Sequence, residues 1–133
     1  LLTDSSASAN VFANWPTTII FSGFEIGKEI KTGLGLVNDQ SLESPVKDVF
    51  ALCIPKTKED SAGRMSWDEV TTLVAVRGYA PFFTLQPGRI KVNDDGSNGW
   101  DGHAKGQYYL VAKEAPEKLA DVINRLMMYQ PRK

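Results

Sequence analysis

The chain has 133 residues, 42% hydrophobic and 23% charged, which is ordinary globular usage for one domain or for part of a larger one. Fifteen Lys and Arg stand against 16 Asp and Glu, a net charge of −1, so no basic field exists to attract nucleic acid or an anionic membrane surface. No apolar run approaches the roughly 20 residues of a membrane-spanning helix, and a single cysteine excludes an internal disulfide.

Thr3-Asp4-Ser5-Ser6 carries side chains that accept free backbone N–H groups, and it predicts a short helix through Ala7, Asn10, Val11 and Asn14. Trp15-Pro16 stops that helix, because a residue before proline avoids the α region. Thr17 to Phe21 is β-branched, aromatic and continuously apolar at its end. It predicts a strand covered on both faces, in a parallel sheet. Ile26, Ile30 and Leu34 then recur every four residues and predict a helix directly after the strand, stopped by Gly33 and Gly35.

Asn38 to Ser44 is polar and reads as a loop. Pro45 opens the next helix, where its missing N–H costs nothing. Val46, Val49, Phe50 and Cys53 are spaced as one buried face, with Cys53 as a small buried hydrophobe, and Pro55 ends the helix. Lys56 to Arg64 is a charged loop. Ser66 followed by Glu69 three residues on predicts a capping box, opening a helix that runs through Val70, Leu73 and Val74 to Gly78.

Phe82 to Leu85 and Arg89 to Val92 read as two short strands, Asn93-Asp94-Asp95-Gly96 as a turn, and Tyr108 to Val111 as a further strand. Together residues 82 to 113 are expected to form a small antiparallel excursion. Pro116 opens the last helix, with Leu119, Val122, Ile123, Leu126 and Met127 on one stripe. The order of elements points to an α/β fold with a parallel sheet.

Several residues invite a chemical reading. Asp68 sits in the first turn of a helix, where the macrodipole favours any carboxylate. Trp67 reads as core or as the wall of a pocket. Glu25 follows the C-terminal end of a predicted strand, where ligands bind in open α/β sheets, but it is also an ordinary first-turn acid. His103, the only histidine, reads as an exposed loop residue and cannot build a zinc site alone. Asp94 to Gly99 lacks the alternating acids and distal glutamate of a calcium loop and reads as a hairpin turn. Ser22-Gly23 is not a nucleophile elbow.

Four stretches together resemble one family. They are Asn14-Trp15-Pro16 leading into Phe21-Ser22-Gly23-Phe24-Glu25-Ile26-Gly27, then Ser66-Trp67-Asp68, then Phe82-Phe83-Thr84-Leu85-Gln86-Pro87-Gly88-Arg89, and Tyr108-Tyr109-Leu110-Val111. In order and spacing the chain resembles the C-terminal part of the inosine-uridine preferring nucleoside hydrolase family, in a bacterial branch, from about residue 4 to the end. The resemblance implies the C-terminal part of an open, mostly parallel sheet with flanking helices, the N-terminal part lying before Leu1. It also implies hydrolysis of the N-glycosidic bond of a ribonucleoside, with a Ca²⁺ ion holding a water and the ribose hydroxyls.

Of the family's ligand set only the last aspartate has a counterpart, Asp68, which the resemblance makes a calcium ligand of the complete protein. The family's early aspartate cluster and its sugar-binding asparagines have no match here. In many members a histidine precedes the last aspartate and protonates the departing base; Trp67 stands there and is an expected stacking contact, while Glu25, from its place after the strand, is the other expected substrate contact. This chain alone is therefore expected to lack activity and to hold no calcium. The alternatives are a non-catalytic nucleoside- or sugar-binding protein on the same fold, or a structural domain without a site. A homo-oligomer and either a cytoplasmic or a periplasmic location stay open.

Overall fold

A computed structural model describes residues 1–80 and 82–130. In chain order its regular elements are α1 (Ser5–Asn14), β1 (Ile19–Phe21), α2 (Phe24–Glu29), β2 (Lys31–Thr32), α3 (Leu34–Asn38), α4 (Pro45–Cys53), β3 (Arg64–Met65), α5 (Trp67–Arg77), β4 (Phe83–Val92), β5 (Asn98–Asp101), β6 (Gln107–Ala112) and α6 (Pro116–Met127). Two 3₁₀ turns, Ile54–Lys56 and Lys58–Asp60, lie between α4 and β3. The fold is mixed α/β, with a four-stranded mixed sheet in the order β1-β6-β4-β5 and a two-stranded sheet of β2 and β3. Among the described residues no helix is long and apolar enough to cross a membrane. The chain divides into two compact units: Leu1–Phe21 with Thr84–Val111, and Ser22–Phe83 with Ala112–Lys133.

In the first unit β1 runs parallel to β6, with Ile19 opposite Gln107 and Phe21 opposite Tyr109. The parallel pairing expected of this strand is present, but β1 starts at Ile19 and takes the outer place in the sheet. Ile20 stays 37% exposed, so the strand is not covered on both faces. An apolar run shows that a segment can be buried twice over; the number of neighbours decides whether it is.

β4 and β5 form an antiparallel hairpin from Arg89 opposite Asp101 to Val92 opposite Asn98. The expected turn closes it: Asn93 N–H donates to the Ser97 carbonyl at 2.9 Å, and Gly96 has φ 79°. β4 is one strand of ten residues, where two short strands were expected. Pro87 does not break it, because pairing with β5 begins only at Arg89 and no β4–β5 ladder bond needs its missing N–H. β6 is not part of a purely antiparallel excursion either, since it is the parallel partner of β1.

Gln107 is buried and joins three elements of this unit. Its Oε1 accepts the Ile90 N–H at 2.9 Å and its Nε2 donates to the Phe12 carbonyl at 2.7 Å. α1, which buries no residue, is held mainly at its ends. Asp4 caps it by accepting the Ala7 N–H, Ser5 Oγ donates to the Asp94 carbonyl at 3.0 Å, and Arg89 donates to the Ala13 carbonyl at 2.8 Å.

In the second unit the helix expected over Ile26 to Leu34 is interrupted. α2 ends at Glu29, Ile30 is extended, and Lys31–Thr32 pairs antiparallel with Arg64–Met65. Gly33 then turns the chain at φ 91°, a conformation open to glycine, and α3 begins. The four-residue spacing misled because Ile26 and Ile30 are buried whether or not one helix joins them. β3 likewise falls at the end of a segment that reads as loop.

α4 begins as expected. Ser44 Oγ accepts the Lys47 N–H at 3.2 Å and Pro45 takes the first turn. Its apolar face is not fully buried, however. Phe50 joins Leu36, Leu42 and Ile54 in a core cluster, while Val46 and Val49 are exposed and Cys53 is only half-buried. α6 buries Leu119, Ala120 and Ile123, and Asn124 Oδ1 accepts the Gly33 N–H at 3.0 Å.

Candidate functional site at the start of α5

The start of α5 is built on β2, β3 and α2. The β2–β3 register puts Thr32 opposite Arg64, two residues before Ser66. Ser66 is fully buried, and its N–H donates to the Gly27 carbonyl at 2.9 Å. Its hydroxyl lies 2.7 Å from the Thr32 hydroxyl and also reaches the Arg64 carbonyl at 3.3 Å. The expected capping box is therefore not formed. Ser66 occupies the N-cap position, but its side chain makes no cap hydrogen bond, because Thr32 and Arg64 engage it instead.

Trp67 follows and is half-buried. Its ring stacks on Phe24 of α2, with centroids 5.1 Å apart and planes 29° from parallel. The indole N–H donates to the Phe24 carbonyl at 2.8 Å. Gly27 makes this approach possible: a Cβ there would lie 2.7 Å from the Trp67 Cα and closer still to the ring. Trp67 is thus part packing residue and part exposed wall. Phe24, 66% exposed, belongs to the same surface; it escaped the sequence reading, although an aromatic directly after Ser22-Gly23 is the signal that marks it.

Asp68 is exposed, and among the described residues it has neither a hydrogen bond nor an ion pair. It borders two concavities. One, of about 460 Å³, lies between α5 and α6 over Leu73, Val76, Ile123 and Leu126. The other, of about 210 Å³, is bounded by Phe50, Cys53, Arg64 and Met65. Glu25 is exposed in the first turn of α2, next in sequence to Phe24. The structure thus joins Trp67 to Phe24, leaves Asp68 open beside them, and sets Glu25 in the helix that carries Phe24.

Below this surface Asp60 is fully buried and ion-paired to Arg64 at 2.6 Å. That hydrogen bond, together with the carboxylate charge, raises the guanidinium pKa above its already high ordinary value. The other Asp60 carboxylate oxygen has no partner among the described residues. His103 is exposed, and its backbone N–H donates to Asp101. Asp95 is occupied within the hairpin turn, accepting from the Ser97 N–H at 2.9 Å and the Ser97 hydroxyl at 2.6 Å.

No family model, curated protein or solved structure matches this chain.

The chemistry available at α5 is therefore limited to what its own side chains offer. A stacked aromatic pair presents a flat apolar surface to another ring. The Trp67 indole N–H is too weakly acidic to act as a general acid, and it is bonded to the Phe24 carbonyl. Asp68 offers carboxylate oxygens to hydroxyl donors or to a hard cation. Calcium takes six to eight oxygens, and among the described residues no group of three or more His, Cys, Asp or Glu gathers to hold a metal.

Proposed function

We propose that the chain is the C-terminal part of a ribonucleoside hydrolase of the inosine-uridine preferring type. In this reading it contributes to an open, mostly parallel sheet, and Asp68 supplies one ligand to a Ca²⁺ ion in the complete protein. The observation that carries the reading is the state of Asp68. A first-turn carboxylate is favoured by the helix macrodipole whether or not it is hydrogen-bonded, and one without a partner keeps its oxygens open to a ligand. Asp68 has no such partner among the described residues and borders open space. Trp67 and Phe24 then form one wall for the base, and Glu25 stands at the edge of that wall. Cleavage of an N-glycosidic bond builds positive charge on the ribose, which carboxylates close to the sugar stabilise.

A second reading is a protein that binds nucleosides without hydrolysing them. It is favoured by Trp67, which stands where the resemblance places a proton-donating histidine while its own N–H is engaged by Phe24.

One experiment addresses both. In the full-length protein, Asp68→Ala should lower calcium affinity about tenfold or more, by analogy with the loss of residues that merely support metal ligands, and should reduce turnover of inosine and uridine in step. Its cost in folding should stay at the ~0.3–1 kcal/mol of a helix-terminal charge. Calorimetric titration of calcium into the wild type and the variant provides the measurement. Equal affinities would refute the ligand assignment. Nucleoside binding without turnover in the wild type would favour the second reading.

A further inference from the structure

The Thr32 and Ser66 hydroxyls are the polar contact nearest the candidate site that its chemistry does not use. Thr32 is 1% exposed and Ser66 0%, and their oxygens lie 2.7 Å apart across 34 residues of chain. A buried hydroxyl pair is directional, unlike apolar packing, so it fixes a side-chain rotamer as well as a distance. Ser66 is also the residue directly before Trp67 and Asp68. Its N–H is held by the Gly27 carbonyl, and the Trp67 indole is held by the Phe24 carbonyl. Three hydrogen bonds from two segments of the chain thus converge on the first turn of α5.

The ground below is equally constrained. Gly63, at φ 113°, lies against the Thr32 backbone, where a Cβ would come within 2.8 Å of the Thr32 carbonyl oxygen. The ion pair between Asp60 and Arg64 closes the turn that leads into β3. Ser66 has given up the usual N-cap role, worth about 1 kcal/mol to a helix, and its hydroxyl is engaged by Thr32 instead.

We infer that Thr32 is a positioning residue for the Trp67–Asp68 pair, acting through its hydroxyl contact with Ser66. The inference rests on the reading that Trp67 and Asp68 face the substrate. Thr32 touches neither ligand nor reacting atoms. It fixes Ser66, and Ser66 sets the direction in which the next two side chains leave the helix start. A displacement of about 1 Å in such a support costs on the order of a hundredfold in rate when the supported groups act on the substrate.

The test uses the full-length protein and three variants beside Asp68→Ala. Thr32→Val removes the hydroxyl and keeps the shape, Ser66→Ala removes the other partner, and Thr32→Ser restores a hydroxyl. The readouts are kcat and KM for inosine, inosine affinity by calorimetry, and the thermal midpoint. Thr32→Val and Ser66→Ala should each lower kcat by about tenfold or more, and the double variant should lose no more than either alone, because the pair acts as one unit. Thr32→Ser should stay near the wild type. Where the wild type binds inosine without turnover, the same pattern should appear in affinity. If Asp68→Ala impairs the protein while Thr32→Val and Ser66→Ala stay within about twofold of the wild type, the inference is wrong and the functional reading stands. Losses that add in the double variant, or that simply track the thermal midpoint, overturn it too. If Asp68→Ala changes nothing, the functional reading fails and this inference fails with it.

Discussion

Gly27 does two things at once. Its carbonyl accepts the Ser66 N–H, and its bare Cα lets Trp67 lie directly on α2. Gly27→Ala would place a methyl inside the Trp67 contact, in a helix where alanine is otherwise favoured over glycine. Steric overlap should win here, because the nearest atoms include the Trp67 backbone, which cannot swing away as a side-chain tip can. The expected loss is ~1–3 kcal/mol, typical of overpacking, together with separation of the Phe24 and Trp67 rings. Denaturant titration followed by tryptophan emission reads both. Wild-type stability with unchanged emission would show that Trp67 does not rest on this glycine. The family resemblance, at a recognisable helix start, singled out Trp67 and Asp68 in the sequence. It could not show that the partner of Trp67 is Phe24, 43 residues away, because the aromatic pair exists only once α2 and α5 have packed.

At the scale of elements, the two serine N-caps behave differently. Ser44 caps α4 as its sequence predicts, while Ser66 opens α5 without capping it. The difference is a competitor: Thr32 reaches Ser66 through the β2–β3 pairing, which no local pattern announces. The hairpin of β4 and β5 is more local, and its chemistry gives a pH prediction. The Asp95 carboxyl lies below its ordinary value of 3.8, first through the Ser97 hydroxyl and then through the Ser97 N–H. A carboxyl lowered in the folded state contributes stability that is present above the unfolded pKa and disappears as pH falls through the folded one. Amide exchange at Ser97 should therefore accelerate as pH drops below 3.8, beyond the chemical trend of an unstructured peptide. Asp95→Asn should remove that acid dependence. An acid limb that persists in Asp95→Asn would assign it elsewhere, with Asp101, lowered first by the His103 N–H, the next candidate.

At the scale of the whole molecule, no group of three or more His, Cys, Asp or Glu gathers among the described residues to hold a metal. A single carboxylate cannot replace the hydration shell of calcium. On the proposed reading, in which the other calcium ligands lie outside residues 1–133, this chain by itself should turn over neither inosine, uridine nor a p-nitrophenyl riboside, and its thermal midpoint should not rise with calcium. Turnover by the purified chain without a second polypeptide would refute this and would locate the chemistry within residues 1–133. Val46 and Val49 of the expected α4 stripe are exposed, as are Leu52 and Val76 beside the stripes of α4 and α5.

What the sequence determined by itself is local. The ends of α1, α4, α5 and α6 follow from Asp4, Ser44-Pro45, Gly78 and Pro116, and the β4–β5 turn follows from Asn93 to Gly96, because caps and turns are decided by the few residues that form them. The tertiary structure alone decided the rest. It broke the expected helix at Ile30 by pairing Lys31–Thr32 with Arg64–Met65, placed β1 at the edge of its sheet, and fused two expected strands into β4. It also diverted Ser66 from its cap to Thr32. In each case residues far apart in the chain compete for the same backbone or hydroxyl group. The winner depends on which surfaces meet, and periodicity along the chain carries no record of that meeting.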